Sequence, residues 1–245
     1  MTKLSWDKLG VEAIVIVASI LLAFSIEALW SNLQQEDDER VVLQSLLDDL
    51  YEKRTFFESN KLYNQAILDS IIKLLEASNP NSERMNLDEL DETINGVLWT
   101  TQESYWDSAP LSSLFSGGNI SSVTNQELLQ DLSSLHTTFD NLKINSRNDV
   151  AFFGREVMPF LRQYINLAQL NNITDSAPGS GTNYPTPTIR IADKKDHSDL
   201  LNNQEFQNLL TERMWLILDM FSNGYAKLDG QLGPIIDILE NELAN

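Results

Sequence analysis

From residue 9 to residue 30 the chain reads LGVEAIVIVASILLAFSIEALW, a run that is apolar on every helical face. At 1.5 Å per residue it covers roughly 33 Å, enough for a bilayer core, so the pattern predicts a transmembrane helix. Trp6 and Trp30 flank it, as amphipathic interface anchors do. Past residue 31 the pattern changes. Leu43, Leu47, Leu50, Phe57, Leu68, Ile71 and Leu75 recur at helical spacing, while Asp48, Asp49, Glu52, Lys53 and Asp69 fill the other face. Such a helix is amphipathic and needs partners. No glycine or proline stands between Gly10 and Pro80, so span and amphipathic helix read as one rod. The charged stretch Gln34–Glu39 is where a break is expected.

Further along, Pro80 and Asn81 stop the rod, and Asn86 with Glu89 caps a short helix expected to end before Gly96. A loop and a short helix closed by Gly117 follow. Thr124 and Glu127 form a capping box ahead of LLQDLSSLHTTFDNL. Asn145 and Ser146 are expected to divide that helix from the next, and Pro159 to kink or cut the latter. Residues 175–188, DSAPGSGTNYPTPT, read as a loop, and TIRIAD as one short strand. Asn202 and Glu205 open a last helix to about residue 243, with Gly224, Gly230, Gly233 and Pro234 as weak points. The fold expected is all-α: a transmembrane helix continuing into an antiparallel bundle of about four long helices plus short ones. The domain layout is a tail at 1–8, the span at 9–30, the first part of the bundle at 31–174, a loop or linker at 175–200 and a C-terminal helix at 201–245.

Charge orients the span. Lys3 and Lys8 precede it, whereas SNLQQEDDE follows it with no base before Arg40. The positive-inside rule then puts the N-terminus in the cytoplasm and the domain outside, in the periplasm of a bacterium with two membranes. A cleaved signal peptide fits less well, because Glu27 and Trp30 stand where small residues are needed. Within the span, Glu12, Ile16, Ser19, Ala23, Ile26 and Trp30 alternate steps of four and three and so share one stripe. Ser19 and Ala23 are a small-xxx-small pair, which lets helices approach closely. Glu12 and Glu27 lie near the two ends of the span, where carboxylates reach the interface.

The chain has 245 residues, 36 acids against 17 bases, a net charge of -19 and no cysteine. That surface disfavours nucleic acid, which requires clustered cations. Without cysteine there is no disulfide, thiol catalysis or Cys-zinc site, and the two distant histidines, His136 and His197, do not make a zinc centre. No phosphate-binding glycine motif or nucleophile elbow occurs, and no cofactor, metal or catalytic residue is assigned. Trp99, Tyr105, Trp106, Leu114 and Phe115 form either a ligand pocket or a small satellite core, the latter being the commoner use of such a cluster.

Four segments carry a resemblance. They are GVEAIVIVASILLAFSIEALW, DERVVLQSLLDDLYEKRTFFE, APLSSLFSGGNISSVTNQELLQDL and LLNNQEFQNLLTERMW. In this order, across most of its length, the chain resembles a widespread family of uncharacterised bacterial single-span membrane proteins. The resemblance implies an N-terminal anchor in the inner membrane and an extracytoplasmic helical domain, and no activity. The first functional expectation is a non-enzymatic, membrane-anchored interaction or assembly module. It would be a homo-oligomer or an accessory subunit, with the bilayer and another membrane helix as partners. The second is an extracytoplasmic sensor or ligand-binding bundle signalling through a partner, and an enzyme is a remote third.

Overall fold

The computed structural model describes residues 6–101, 107–117, 119–171, 191 and 193–244, with the side chains of residues 6–15, 119, 121 and 171 outside that description. Helix α1 is Trp6–Ala77, 72 residues without interruption. It is roughly 108 Å long at 1.5 Å per residue. The expected break at Gln34–Glu39 does not occur, because nothing there interrupts the hydrogen-bond ladder. Pro80 does stop it: Ser78 and Asn79 donate backward to Leu74 and Glu76, and the Ser82 hydroxyl takes the Glu76 carbonyl at 2.6 Å.

Helices α2 (Leu87–Val97) and α3 (Ala109–Ser116) return along α1. The Asn86 side chain caps α2 as expected, accepting from Glu89 N–H at 2.9 Å. The helix runs through Gly96 instead of ending before it. A Cβ on Gly96 would stand 2.2 Å from Ser70 Oγ, so glycine serves close approach of α2 to α1. Gly117 closes α3 in ordinary right-handed geometry.

Helix α4 (Gln126–Phe152) goes out again as one piece. The expected division at Asn145–Ser146 is absent, because Ser146 is buried and its hydroxyl meets Met220 Sδ. The cap is Asn125, not Thr124: Asn125 accepts from Glu127 and Leu128, while Thr124 is bound to Glu39 of α1. Pro159 neither cuts nor ends the rod. A π-turn at Phe153–Val157 precedes it, and α5 (Met158–Tyr164) carries the proline at its second position, directly after that wider turn. The short helix α6 (Leu167–Asn171) follows.

Helices α7 (Gln204–Met220) and α8 (Ala226–Ala244) complete the bundle. Asn203, not Asn202, caps α7, since Asn202 lies in a 3₁₀ turn, Ser198–Asn202. Among the expected weak points only Gly224 departs from α-geometry, inside a π-turn at Phe221–Tyr225. Most of the TIRIAD segment and the 175–188 loop lie outside the described residues, and no strand occurs among those described.

Cross-pairs set the topology. Tyr51 bonds Glu240, Lys61 bonds Asp229 and Asn64 bonds Tyr225, so α1 and α8 run antiparallel. Likewise Ser134 meets Gln231, Asn145 meets Asp219 and Asp149 meets Arg213 between α4 and α7–α8. The result is an up-down-up-down bundle: α1, then α2–α3, then α4–α5, then α7–α8. Its core includes Leu46, Leu50, Ile67, Ile71 and Leu74 of α1, each 0% exposed. Each such side chain contributes about 1.5–3 kcal/mol by leaving water.

Packing on α1 begins at Val42 and Leu43, and residues 16–38 are exposed throughout. At the near end, where α1 enters the bundle, three contacts close the structure. Arg40 donates to the Leu243 carbonyl at 2.7 Å, Glu39 accepts from Thr124 N–H at 2.6 Å, and Asn125 donates to Glu242 at 2.6 Å.

Candidate functional site

The residues expected to carry membrane association stand on the part of α1 that precedes the bundle. Ile16 and Ile26 are each 59% exposed and Trp30 71%. Ser19 and Ala23 are exposed on the same stripe. Trp6 and Glu12 belong to α1, but their side chains lie outside the described set. The apolar stretch of this helix has a mean hydropathy of 1.7 and none of it is buried. Leu33, 58% exposed, extends the stripe by one further step of three. The sequence carries that signal, but the expected stripe stopped at Trp30.

The aromatic region is not a single cluster among the described residues. Trp99 stacks on Tyr63 with ring centroids 5.6 Å apart. Leu114 is in the main core, 1% exposed. Phe115 lies 5.4 Å from the His136 ring. Thr101, two residues past Trp99, bonds Ser146, and His136 stands ten residues earlier on α4. The two aromatic contacts are therefore roughly 15 Å apart along that helix. Tyr105 and Trp106 lie outside the described residues.

Two buried pairs of ionisable side chains escaped the sequence reading. Arg213 and Asp149 are both 0% exposed, with Nε–H donating to Oδ1 at 2.9 Å and Nη2–H to Oδ2 at 3.3 Å. The guanidinium also donates to the Val97 and Trp99 carbonyls, and Phe153 lies against it, 4.7 Å from ring centroid to guanidinium carbon. Asp149 in turn accepts from Thr101 N–H at 3.3 Å. One group thus satisfies carbonyls left open at the end of α2 and ties them to α4 and α7. Paired and hydrogen-bonded in this way, the buried charges are tolerated.

The second pair joins His197 and Asp91, with Nδ1 to Oδ1 at 2.7 Å. His197 Nε2 accepts from the Asn166 N–H at 3.1 Å. That bond sets the tautomer: the proton is on Nδ1, donated to Asp91. A His–Asp pair is half of a hydrolase triad, but there the outer nitrogen is open to a nucleophile. Here the backbone N–H occupies it, and the imidazole is 0% exposed. Gln169 completes the clasp, donating to Asp91 and to Lys195 O, and accepting from Lys195 N–H at 2.8 Å. The pair fastens the residue 194–198 segment to α2 and α6.

Tyr225 is buried between Phe57 and Phe221, and its hydroxyl accepts from Asn64. Burial pushes this phenol above the ordinary 10.0, and the Asn64 hydrogen bond offsets only part of that. Burial raises Tyr63 as well, against the pull of Arg213. Among the described residues no group of three or more histidines or acids is arranged to hold a metal ion. One cleft of about 490 Å³ opens at the far end, lined by Lys73, Glu76, Arg84 and Glu89.

These features define a class: an all-α bundle built on one long helix whose free end is long and apolar enough to cross a membrane. Comparison with known protein families, characterised proteins and solved structures finds no match, so the functional reading rests on the chain's own residues.

Proposed function

We propose that the chain is a membrane-anchored, non-enzymatic assembly module, acting as a homo-oligomer or as the accessory subunit of a membrane complex. The observation that carries this reading is the continuity of α1. The helix that offers an exposed apolar stripe at Ile16, Ser19, Ala23, Ile26 and Trp30 also supplies the bundle core from Leu43 to Leu74. A partner gripping the stripe would thereby hold the whole domain through an unbroken helix. The buried ionisable pairs fit the same reading, because their hydrogen-bonding capacity is spent on the fold. Lys3 and Lys8 before the span and the acids after it support a cytoplasmic N-terminus and a bundle outside, in the periplasm of a bacterium with two membranes.

The test is the mass of the full chain extracted gently from its native membrane, with its companions identified. A defined oligomer or a stable complex is expected, and a lone monomer would overturn the reading. Orientation is tested separately. The chain lacks cysteine, so Thr2→Cys and Asn245→Cys give single reporters. An impermeant maleimide applied from outside should label only the second.

A further inference from the structure

A large aromatic side chain is exposed far from the bilayer. Trp215 on α7 is 62% exposed, and Leu218 beside it 41%. The pairs Asn64–Tyr225 and Lys61–Asp229 set Trp215 about level with Leu74 of α1. That is roughly 65 Å beyond Trp30 along the helix axis, out of reach of lipid around the span. An exposed tryptophan there is suited to protein contact. Next to it a groove of about 320 Å³ runs between α4, with its π-turn, and α7, lined by Asn148, Ala151, Phe152, Arg155, Glu156 and Leu216. Its two walls carry opposite charge. From Asn141 to Leu170 the bases are Lys143, Arg147, Arg155 and Arg162, and the acids are Glu156 and Asp149, the latter buried on Arg213. On α7 the acids are Glu205, Glu212 and Asp219, and the base is that same Arg213. Steps of seven keep these three acids on one side of the helix, and the Asp219–Asn145 bond shows that this side adjoins α4. Arg155 and Arg162 are also seven apart, and both are exposed. The register fixed by Asn145–Asp219 and Asp149–Arg213 sets Arg155 at a level between Glu205 and Glu212. Its Nε–H donates to the Ala151 carbonyl at 3.3 Å, and no ion pair joins it to α7 among the described residues.

This charge distribution selects the occupant. Two copies anchored through α1 in one membrane are related by a two-fold axis that runs along the bundle. Such an axis laid in the groove sets α4–α5 of one copy against α7 of the other at equal height. The basic wall then meets the acidic wall twice, as an isologous interface requires. The chain as a whole carries a charge of -19 and repels its like, so the face where two copies attract must hold both signs in this complementary order. We infer that the α4–α7 face docks a second copy of this chain in parallel, with Trp215 of each copy against the groove of the other and Arg155 of each facing Glu212 of the other. This rests on the assembly reading and selects its homo-oligomeric form.

The test uses the full chain, labelled at Thr2→Cys and reconstituted in phosphatidylcholine vesicles, with self-association read as energy transfer between copies over a range of lipid dilutions. Trp215→Ala is expected to weaken association roughly thirtyfold. Arg155→Glu should weaken it roughly tenfold. The double variant Arg155→Glu/Glu212→Arg should regain most of that loss, because each new glutamate again faces an arginine across the interface. Arg155, Glu212 and Trp215 are exposed, so thermal unfolding of every variant should match the parent. Position gives a second readout. A short bis-maleimide should link copies carrying Asn148→Cys, in the groove, and not copies carrying Leu62→Cys, which is 71% exposed on α1. Self-association that none of these substitutions weakens, with no link at Asn148→Cys, would overturn the inference and leave the assembly reading standing. So would a complex with a different protein that holds one copy of the chain. A chain that associates with nothing would remove both.

Discussion

Two halves of one helix behave differently. In the near half of α1, Leu21 and Leu22 are 61% and 63% exposed, whereas Leu46 and Leu47 in the far half are 0% and 8%. The residue type is the same, and what differs is the pattern around it. Leu21 and Leu22 belong to a run apolar on every face, suited to lipid on all sides. Leu46 and Leu47 belong to a stripe backed by acids and bases, suited to a core on one side and water on the other. Between them, residues 31–38 touch neither environment and remain helical because both flanks are helical. An isolated helix of that length is marginal in water. The lesson is that helix formation and helix burial are separable along this chain. From Val11 to Ala77 α1 holds no glycine or proline to interrupt it, and its burial follows periodicity.

The contrast is sharpened most by Arg213→Leu. It strands Asp149 and the Val97 and Trp99 carbonyls in the interior, and should cost the bundle about 3–5 kcal/mol in thermal or denaturant unfolding. Membrane retention in alkaline carbonate should be unchanged, since the free half of α1 owes nothing to that pair. Replacing Arg213 and Asp149 together by leucine should recover part of the loss, because no lone charge remains while the Val97 and Trp99 carbonyls stay open. Next, Leu50→Ala should cost about 2–5 kcal/mol of bundle stability. Leu22→Ala should leave the same unfolding curve within about 0.5 kcal/mol. Equal effects would break the distinction between the halves.

Gly224→Ala tests how tightly the far half is enclosed. Its Cβ would stand 2.2 Å from Leu142 Cδ2, inside the π-turn that sets Tyr225 against Asn64 and Phe57. A loss of about 1–3 kcal/mol is expected from overpacking, relieved by Leu142→Ala in the same chain. Alkali gives a smaller, signed effect. Tyr63 and Tyr225 are both raised above 10.0 in the folded bundle. Their contribution is therefore complete below that pH and is lost as pH rises through and beyond it, when unfolded tyrosine ionises first. Melting curves at about pH 9 and about pH 11 should show a smaller decline for Tyr225→Phe than for the parent. Smallest of all is Gln34→Pro. It breaks the stalk ladder yet should move bundle melting by no more than about 0.5 kcal/mol, whereas Gln65→Pro in the far half should cost about 3 kcal/mol or more.

Much of the fold was legible because its signals are local. The apolar run, the stop at Pro80, the Asn86 cap and the helix reaching the C-terminal end each depend on a few adjacent residues. Three of the errors share one cause. Thr124 resembles a cap but is held by Glu39, 85 positions away in sequence. Asn145 and Ser146 look like a boundary but face α7 and its π-turn, where Asp219 and Met220 take their polar groups. Gly96 looks like a terminator but provides room for Ser70. In each case a tertiary neighbour gave a different use to a residue with a local meaning.

The same reasoning separates the two sources of this molecule's character. Sequence alone determined that the chain is helical, that one segment is apolar enough for a bilayer, that the remainder is acidic and amphipathic, and that thiol chemistry is absent. These follow from composition and periodicity, which need no knowledge of neighbours. Only the tertiary structure decided that Arg213 belongs to Asp149 and His197 to Asp91, across 64 and 106 positions. It also decided that the near end of the bundle gathers acids from α1, α4 and α8. Such pairings and groupings depend on the register between antiparallel helices, which is set by how their side chains interlock in three dimensions.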